Sequence, residues 1–208
     1  MINVTTLPVG SGQANCYILF KEDSKNALIV DPGAEPEKIK KVIADLKANP
    51  LAIILTHTHF DHIGGIDTIR DTYDIPVYVD ANEEDWLVDG SKNLSARIGD
   101  LITAKPAEYL FEPSETLTIE DFTFKVLPTP GHSPGGVSFV FSDDSFVVTG
   151  DALFAGSIGR TDLPGSQPEQ LLTSVREQLL TLPEEYTVYP GHGPSSSIGH
   201  EVATNPFF

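Results

Sequence analysis

A run of histidine and aspartate side chains directly after a buried strand constrains this chain more than any other feature of its sequence. The apolar residues Leu51–Leu55 predict a strand covered on both faces, and the residues THTHFDH follow at once. Side chains two apart in an extended segment point the same way, so His57 and His59 can converge on one metal ion. Asp61 is predicted to be the N-cap of the next helix, with His62 in its first turn. Both of these can therefore face a second ion.

Three further predicted strands are each followed within a few residues by a histidine or an aspartate. The residues are His132 and His192, each in a Pro-Gly-His turn, and Asp151, which follows a glycine. The strands are predicted at 122–128, 146–149 and 187–189. Loops at strand ends collect functional side chains. A lone histidine in a turn is ordinarily only solvated, whereas four strand ends that supply histidine and aspartate indicate a metal centre.

The number of candidate ligands exceeds what one ion needs. They are five imidazoles and two carboxylates: His57, His59, Asp61, His62, His132, Asp151 and His192. Two four- or five-coordinate sites that share one carboxylate accommodate the set. Imidazole and carboxylate ligands without thiolates suit zinc, iron or manganese, with zinc as our first choice. Cys16 is predicted to be a buried strand residue, and His200 is given no role.

Charge and length restrict the partners and the organisation. The 208 residues include 30 acidic and 13 basic side chains, for a net charge of −17. Nucleic-acid binding needs a basic surface, so it is not expected. No stretch reaches the ~18 apolar residues of a membrane span, and the N-terminus does not resemble a signal peptide, so we expect a cytoplasmic protein without a membrane partner. The length predicts one domain over residues 1–208.

The predicted elements alternate between strands and helices, which indicates an α/β fold. Helices are expected over 36–48 and 62–72, and a third over 168–180, from apolar residues at helical spacing. The pattern is weak over 90–115, and we predict a long surface segment there.

The sequence resembles the metallo-β-lactamase superfamily, and most closely its small glyoxalase II-like hydrolases. The similarity runs from about residue 1 to residue 206. The motifs that carry it are Asn15-Cys16-Tyr17, Asp31-Pro32-Gly33, residues 56–65 (THTHFDHIGG), residues 130–135 (PGHSPG), Thr149-Gly150-Asp151, residues 159–162 (GRTD) and Gly191-His192-Gly193.

This resemblance implies an αβ/βα sandwich with two central mixed sheets and helices on the outer faces. It also implies that the ligands divide into three on the first ion, three on the second and one bridging carboxylate: His57, His59 and His132; Asp61, His62 and His192; Asp151. Asp31 is implied to orient a ligand histidine, as metal-bound imidazoles generally require.

The activity implied by the resemblance is hydrolysis of a small acyl thioester, similar to S-lactoylglutathione, by attack of a metal-bridging hydroxide. Two divalent ions lower the pKa of a shared water toward ~7, and Asp61 is expected to orient the resulting hydroxide. A thiol leaves readily because its pKa is only ~8.5, so no strong general acid is needed. The sequence assigns neither the acyl group nor an oligomeric state.

Two other functions stay open. The persulfide dioxygenases of the same superfamily, which use a single iron, also resemble this chain, and a non-enzymatic metal-binding protein is a third hypothesis. Lactam cleavage is not expected, because the β-lactamases of the superfamily are usually exported. Glyoxalase II proper has an extra C-terminal domain that helps to bind glutathione, and only 16 residues follow His192 here, so recognition of glutathione is left open. Arg160 is a candidate substrate contact, or else a structural partner of Asp162.

Overall fold

The computed structural model describes residues 1–112 and 114–208, and the chain divides into two compact units. The first unit comprises Met1–Phe111 with Ile119–Asp121, and the second comprises Glu112–Thr118 with Phe122–Phe208. Each unit contains its own six-stranded mixed sheet. The predicted α/β class with two mixed sheets is therefore confirmed, while a single domain over residues 1–208 stays a prediction.

The sheet of the first unit contains its strands in sequence order. These are β1 (Ile2–Val9), β2 (Ala14–Lys21), β3 (Asn26–Val30), β4 (Asn49–Ile54), β5 (Val77–Asp80) and β6 (Tyr109–Phe111). The pairs β1–β2 and β2–β3 are antiparallel, whereas β3, β4, β5 and β6 pair in parallel. The carboxyl ends of β3, β4 and β5 consequently meet at one edge of the sheet, with β4 in the middle.

Three helices accompany this sheet: α1 (Pro36–Leu46), α2 (Phe60–Ile63) and α3 (Ile66–Tyr73). Proline at the first position of α1 has the backbone angle that a helix start requires. The apolar stripe of α1 buries Ile39 and Ile43 in the same core as Ile66 and Ile69 of α3. Fully burying an isoleucine contributes about 1.5–3 kcal/mol, so this stripe anchors α1 to its unit.

The single helix predicted over 62–72 is wrong, because α2 and α3 are separated at Gly64 and Gly65. The amide of Gly65 donates to the carbonyl of Pro32 at 2.7 Å instead of continuing a helical ladder. A Cβ at Gly65 would lie 2.7 Å from that same oxygen. The predicted N-cap is also wrong: His59 is the N-cap residue of α2, and Asp61 lies inside its first turn.

The long surface segment predicted over 90–115 is only partly correct. It contains β6, and its loop folds back on the buried side chains of Asn93 and Ser95. Nδ2 of the Asn93 side chain donates to the carbonyls of Trp86 and Ile102 at 3.0 and 2.9 Å. Hydrogen bonds of polar side chains, and not apolar residues at a regular spacing, hold this loop together. The hydrophobic pattern of the sequence therefore did not predict its structure.

The second unit is built on a mixed sheet in the order β14–β13–β10–β9–β8–β7. The strands are β7 (Thr116–Ile119), β8 (Phe122–Pro128), β9 (Val137–Phe141), β10 (Phe146–Gly150), β13 (Thr187–Pro190) and β14 (Ser196–Ser197). A separate hairpin pairs β11 (Leu153–Phe154) with β12 (Ser157–Ile158). β9 and β10 are buried throughout, as their uninterrupted apolar sequences indicate.

Two helices complete this unit, α4 (Pro168–Ser174) and α5 (Ile198–Thr204). The helix predicted over 168–180 is present, but its second half, Val175–Leu179, is a π-helix. Leu171, Val175 and Leu179 are all buried in the core of the unit. Across the described residues of both units, no helix is long and apolar enough to cross a membrane.

Candidate metal centre

Three histidines gather in the segment that follows β4 of the first unit, two in the loop and the third in α2. The ring of His57 lies 4.9 Å from that of His59 and 4.2 Å from that of His62, measured between centroids. All three side chains are buried. Asp61 is nearby, with its Oδ2 3.8 Å from Nε2 of His62. The sequence pattern therefore brings these four predicted ligands together within one unit.

Asp31, directly after β3, fixes the orientation of two of these rings. Its carboxylate accepts hydrogen bonds from Thr56 N at 2.8 Å, Thr56 Oγ1 at 2.5 Å and His62 Nδ1 at 2.9 Å. Since the Thr56 hydroxyl donates to Asp31, its contact with His57 Nδ1 at 3.2 Å makes the imidazole the donor. The protons of His57 and His62 are thus held on Nδ1, and Nε2 becomes the metal-binding nitrogen. Asp31 adopts a positive φ of 47°, which aspartate tolerates better than most residues.

A second buried carboxylate fixes the same loop from the other side. Glu83, three residues after β5, accepts hydrogen bonds at Oε2 from Thr58 N at 2.6 Å and from Thr58 Oγ1 at 2.8 Å. Glu83 and Thr58 are both fully buried. Sequence reasoning missed Thr56, Thr58 and Glu83, although the alternation of threonine with histidine in residues 56–59 was the available signal.

The second unit contributes a carboxylate between two imidazoles. Oδ2 of Asp151 lies 3.3 Å from Nε2 of His132 and 3.6 Å from Nε2 of His192. The loops after β8, β10 and β13 supply these three side chains. Because this oxygen lies close to the Nε2 atoms of both histidines, the Asp151 carboxylate could bind a metal ion held by either ring.

The segment from Gly159 to Asp162 supports this second group through its backbone. Nδ1 of His132 donates to the carbonyl of Arg160 at 2.8 Å, which again leaves Nε2 as the metal-binding nitrogen. A Cβ at Gly159 would lie only 1.9 Å from the carbonyl oxygen of Asp151. The Arg160 guanidinium binds Asp162 with two hydrogen bonds of 2.9 Å, and this lowers the pKa of the Asp162 carboxyl. The Arg160 guanidinium thus forms an exposed ion pair with Asp162, and a contact of Arg160 with the substrate stays a prediction.

The donor set in each unit fits a divalent metal. Three of the imidazoles have Nδ1 engaged by an oxygen, and carboxylates lie next to Nε2 atoms, as hydrogen-bonded metal ligands require. No thiolate takes part: Cys16 is buried in β2, and burial together with the Asp31 carboxylate raises the pKa of its thiol. His200 lies on α5, where its amide donates to the N-cap residue Ser197.

Comparison with known proteins agrees with this donor chemistry. The chain is 50% identical over 202 residues to the probable metallo-hydrolase YqgX of Bacillus subtilis, with 97% of this chain and 95% of the relative aligned. It is 33% identical over 208 residues to the hydroxyacylglutathione hydrolase GloC of Haemophilus influenzae, with 99% and 98% aligned. The crystal structure of the BLEG-1 B3 metallo-beta-lactamase superposes with a TM-score of 0.96 at 46% identity and covers 99% of both chains.

These similarities extend over the whole of the described fold. Together with the histidine and aspartate groups, they identify a metal-dependent hydrolase that binds divalent ions. The sequence profile of the metallo-beta-lactamase superfamily matches residues 9–192, which include every predicted ligand. The chain therefore belongs to the metallo-beta-lactamase superfamily.

Proposed function

We propose that this hydrolase cleaves acyl thioesters of small thiols at a centre of two divalent ions, with zinc as the proposed metal. The observation that carries the proposal is the position of the Asp151 carboxylate between the Nε2 atoms of His132 and His192. A structural zinc site is closed by four ligands. A carboxylate that lies between two imidazoles instead suits a pair of ions with open positions.

The proposed ligand set draws on both groups described above. One ion takes His57, His59 and His132, the other takes Asp61, His62 and His192, and Asp151 bridges them. When bound, the two ions supply an activated water and polarise the substrate carbonyl. Asp31, Thr56 and the Arg160 carbonyl hold the imidazole protons on Nδ1, so that Nε2 is kept for the metal.

Asp61 is the proposed catalytic carboxylate of this centre. It lies in the first turn of α2, with one oxygen 3.8 Å from His62 Nε2. The carboxylate has a second oxygen, which can accept a hydrogen bond from the attacking water and so direct a lone pair toward the carbonyl. Expulsion of a thiolate then requires no protonation, because thiols have a pKa of about 8.5.

The similarity to GloC supports a thioester, since an acylglutathione is one. The paired guanidinium of Arg160 argues against a strong electrostatic clamp on the glutathione carboxylates. We therefore expect kcat/KM for S-lactoylglutathione to exceed that for a truncated thioester by a factor on the order of 10 to 100, about 1.4–2.8 kcal/mol.

A second candidate function is the hydrolysis of β-lactams. The expectation against it is weakened by the 46% identity and full-length superposition with BLEG-1, a B3 metallo-beta-lactamase. Lactam and thioester hydrolysis share the same attack on a carbonyl, and they differ in the leaving group. A lactam nitrogen is a poorer leaving group than a thiolate, so thioesters remain the preferred substrate class.

One panel of assays separates these functions. The zinc-loaded protein is assayed on S-lactoylglutathione, a truncated thioester and a cephalosporin, and oxygen uptake is followed with glutathione persulfide under iron loading. Thioester turnover with two ions per chain supports the proposal. Oxygen uptake with one iron per chain and no hydrolysis would instead identify a persulfide dioxygenase.

Matched variants test the ligand assignments in the same assays. Asp151→Asn should lose both ions and reduce hydrolysis by orders of magnitude, because a neutral amide is a poor bridging ligand. His192→Ala should lose one ion, whereas His200→Ala should behave like the wild type. Equal losses in the two histidine variants would show that the C-terminal ligand is misassigned.

A further inference from the structure

We propose that Glu83 is a positioning residue that fixes the metal-binding loop at Thr58, between His57 and His59. The inference rests on the metal centre proposed above. The substrate need not contact Glu83, because its effect is transmitted through the threonine to the two imidazoles on either side of it.

The hydrogen bonds between Glu83 and Thr58 are short and fully buried. Both donors of Thr58, the amide at 2.6 Å and the hydroxyl at 2.8 Å, converge on a single oxygen, Oε2. A hydrogen bond to a charged acceptor is about twice as strong as one between neutral groups. Two such bonds on one residue determine both the position of its backbone and the direction of its side chain.

A similar pair of hydrogen bonds occurs on the opposite side of the loop, between Thr56 and Asp31. That carboxylate also accepts both the amide and the hydroxyl of one threonine. Asp31 follows β3 and Glu83 follows β5, the two parallel neighbours of β4. The loop with His57 and His59 follows β4, which lies between β3 and β5. One carboxylate therefore binds this loop from the β3 side and the other from the β5 side.

The turn that begins at Glu83 also flanks His59. The backbone carbonyl of Glu83 accepts a hydrogen bond from Trp86 N at 3.0 Å, and the Trp86 ring lies 5.8 Å from the His59 ring. Asp31 acts on His57 and His62, as described above, whereas Glu83 acts on Thr58 and begins the turn whose Trp86 ring lies beside His59.

A role confined to folding would also account for a buried carboxylate, so the test must separate the two. Zinc affinity is measured on the full chain by equilibrium competition with a chelator, and the thermal midpoint is measured on the metal-free protein. The variants are Glu83→Gln, Glu83→Ala, Thr58→Val and Thr58→Ser. Asp85→Asn is the matched control, because it removes an exposed carboxylate from the same turn.

Loss of a group that orients metal ligands typically weakens metal affinity or activity by 10–100-fold. We expect a loss in that range for Glu83→Ala and a smaller one for Glu83→Gln, whose amide oxygen can accept both bonds without charge. Thr58→Ser keeps both donors and should rescue the affinity, and Asp85→Asn should leave it unchanged. The losses for Glu83→Ala and Thr58→Val should not add in the double variant, because Glu83→Ala already removes the hydroxyl hydrogen bond that Thr58→Val removes. The visible absorption of the cobalt-saturated protein should also change in Glu83→Gln.

Unchanged zinc affinity and an unchanged cobalt spectrum in Glu83→Gln and Thr58→Val, with a lowered midpoint of the metal-free protein, would overturn the inference and leave a purely structural role. If Glu83→Ala does not fold, those two variants decide the question. Absence of zinc binding by the wild type would instead overturn the proposed centre itself.

Discussion

Gly159 and Arg160 contact His132 and Asp151 of the second unit through their backbones. The effect of a substitution at either position should therefore depend on the space that the backbone leaves for a new side chain. At Gly159 the position of a Cβ is already occupied, 1.9 Å from Asp151 O and 3.0 Å from His132 Nδ1. At Arg160 the atom that contacts His132 is the carbonyl, which any residue retains.

We expect Gly159→Ala to destabilise the protein by about 1–3 kcal/mol, as overpacking does, and to reduce bound metal. Arg160→Ala should keep both the stability and the metal, because it removes only an exposed ion pair with Asp162. Urea unfolding and metal analysis of the two variants check this. Metal loss in Arg160→Ala alone would show that the guanidinium, and not the backbone, maintains the site.

The Cys16 thiol should be unreactive in the folded protein. Its side chain is completely buried, and burial and the Asp31 carboxylate raise its pKa. A raised pKa means less thiolate at any given pH, and the thiolate is the reactive form. At pH 8 a disulfide reagent should therefore titrate no thiol in the native protein and one thiol per chain in urea. Rapid titration of the native protein would contradict this environment.

At the scale of elements, the strands were the most predictable part, because uninterrupted apolar runs such as Leu51–Leu55 and Val137–Phe141 are typical of buried strands. The break between α2 and α3 was not predictable from helical spacing, since it arises from the tertiary contact of Gly65 with Pro32. The short strand β6 has three residues, Tyr109–Phe111, and pairs with β5 among the described residues. A run of three residues is too short for a strand periodicity to mark it.

The candidate site, like the fold, could be predicted only in part from the sequence. The grouping of the proposed ligands was predictable because the chain has only six histidines, and five of them follow the ends of predicted strands. Their supporting groups were predictable only where a motif named them, as with Asp31. Glu83 was missed because a glutamate in an acidic, exposed-looking sequence (ANEED) gives no sign that it is buried against Thr58.

The contact between the Asp31-Pro32-Gly33 loop and α2 gives a prediction at this scale. A Cβ at Gly33 would lie 1.6 Å from the carbonyl oxygen of Asp61, and backbone atoms cannot move aside as a flexible side chain can. Gly33→Ala should therefore displace α2 and destabilise the protein by ~3 kcal/mol. Gly99→Ala is the control, because its Cβ would meet nothing within 4 Å and only its positive φ costs ~1 kcal/mol. Equal unfolding midpoints of the two variants in urea would refute the proposed clash.

At the scale of the whole molecule, the proposed ligand set is divided between the two compact units. Four of the proposed ligands belong to the first unit, and His132, Asp151 and His192 belong to the second. A ligand that binds only the folded state stabilises it by RT ln(1 + [L]/Kd). If the ligand set is correct, removing the metal must therefore lower the stability of both units and not of one alone.

This expectation can be measured by chelation. At a free zinc concentration 100 times Kd, each bound ion stabilises the folded state by about 2.7 kcal/mol, and the melting temperature of a chain of this size moves by about 2–4 °C per kcal/mol. Removing two ions should thus lower the midpoint by roughly 11–22 °C, removing one by about half of that, and zinc should restore it. Hydrogen exchange should show metal-dependent protection both in residues 56–66 and around residues 131–133, 150–152 and 190–193. Protection confined to the segment after β4 would mean that the second unit does not contribute ligands, and the binuclear centre would then have to be abandoned in favour of a site made by the first unit alone.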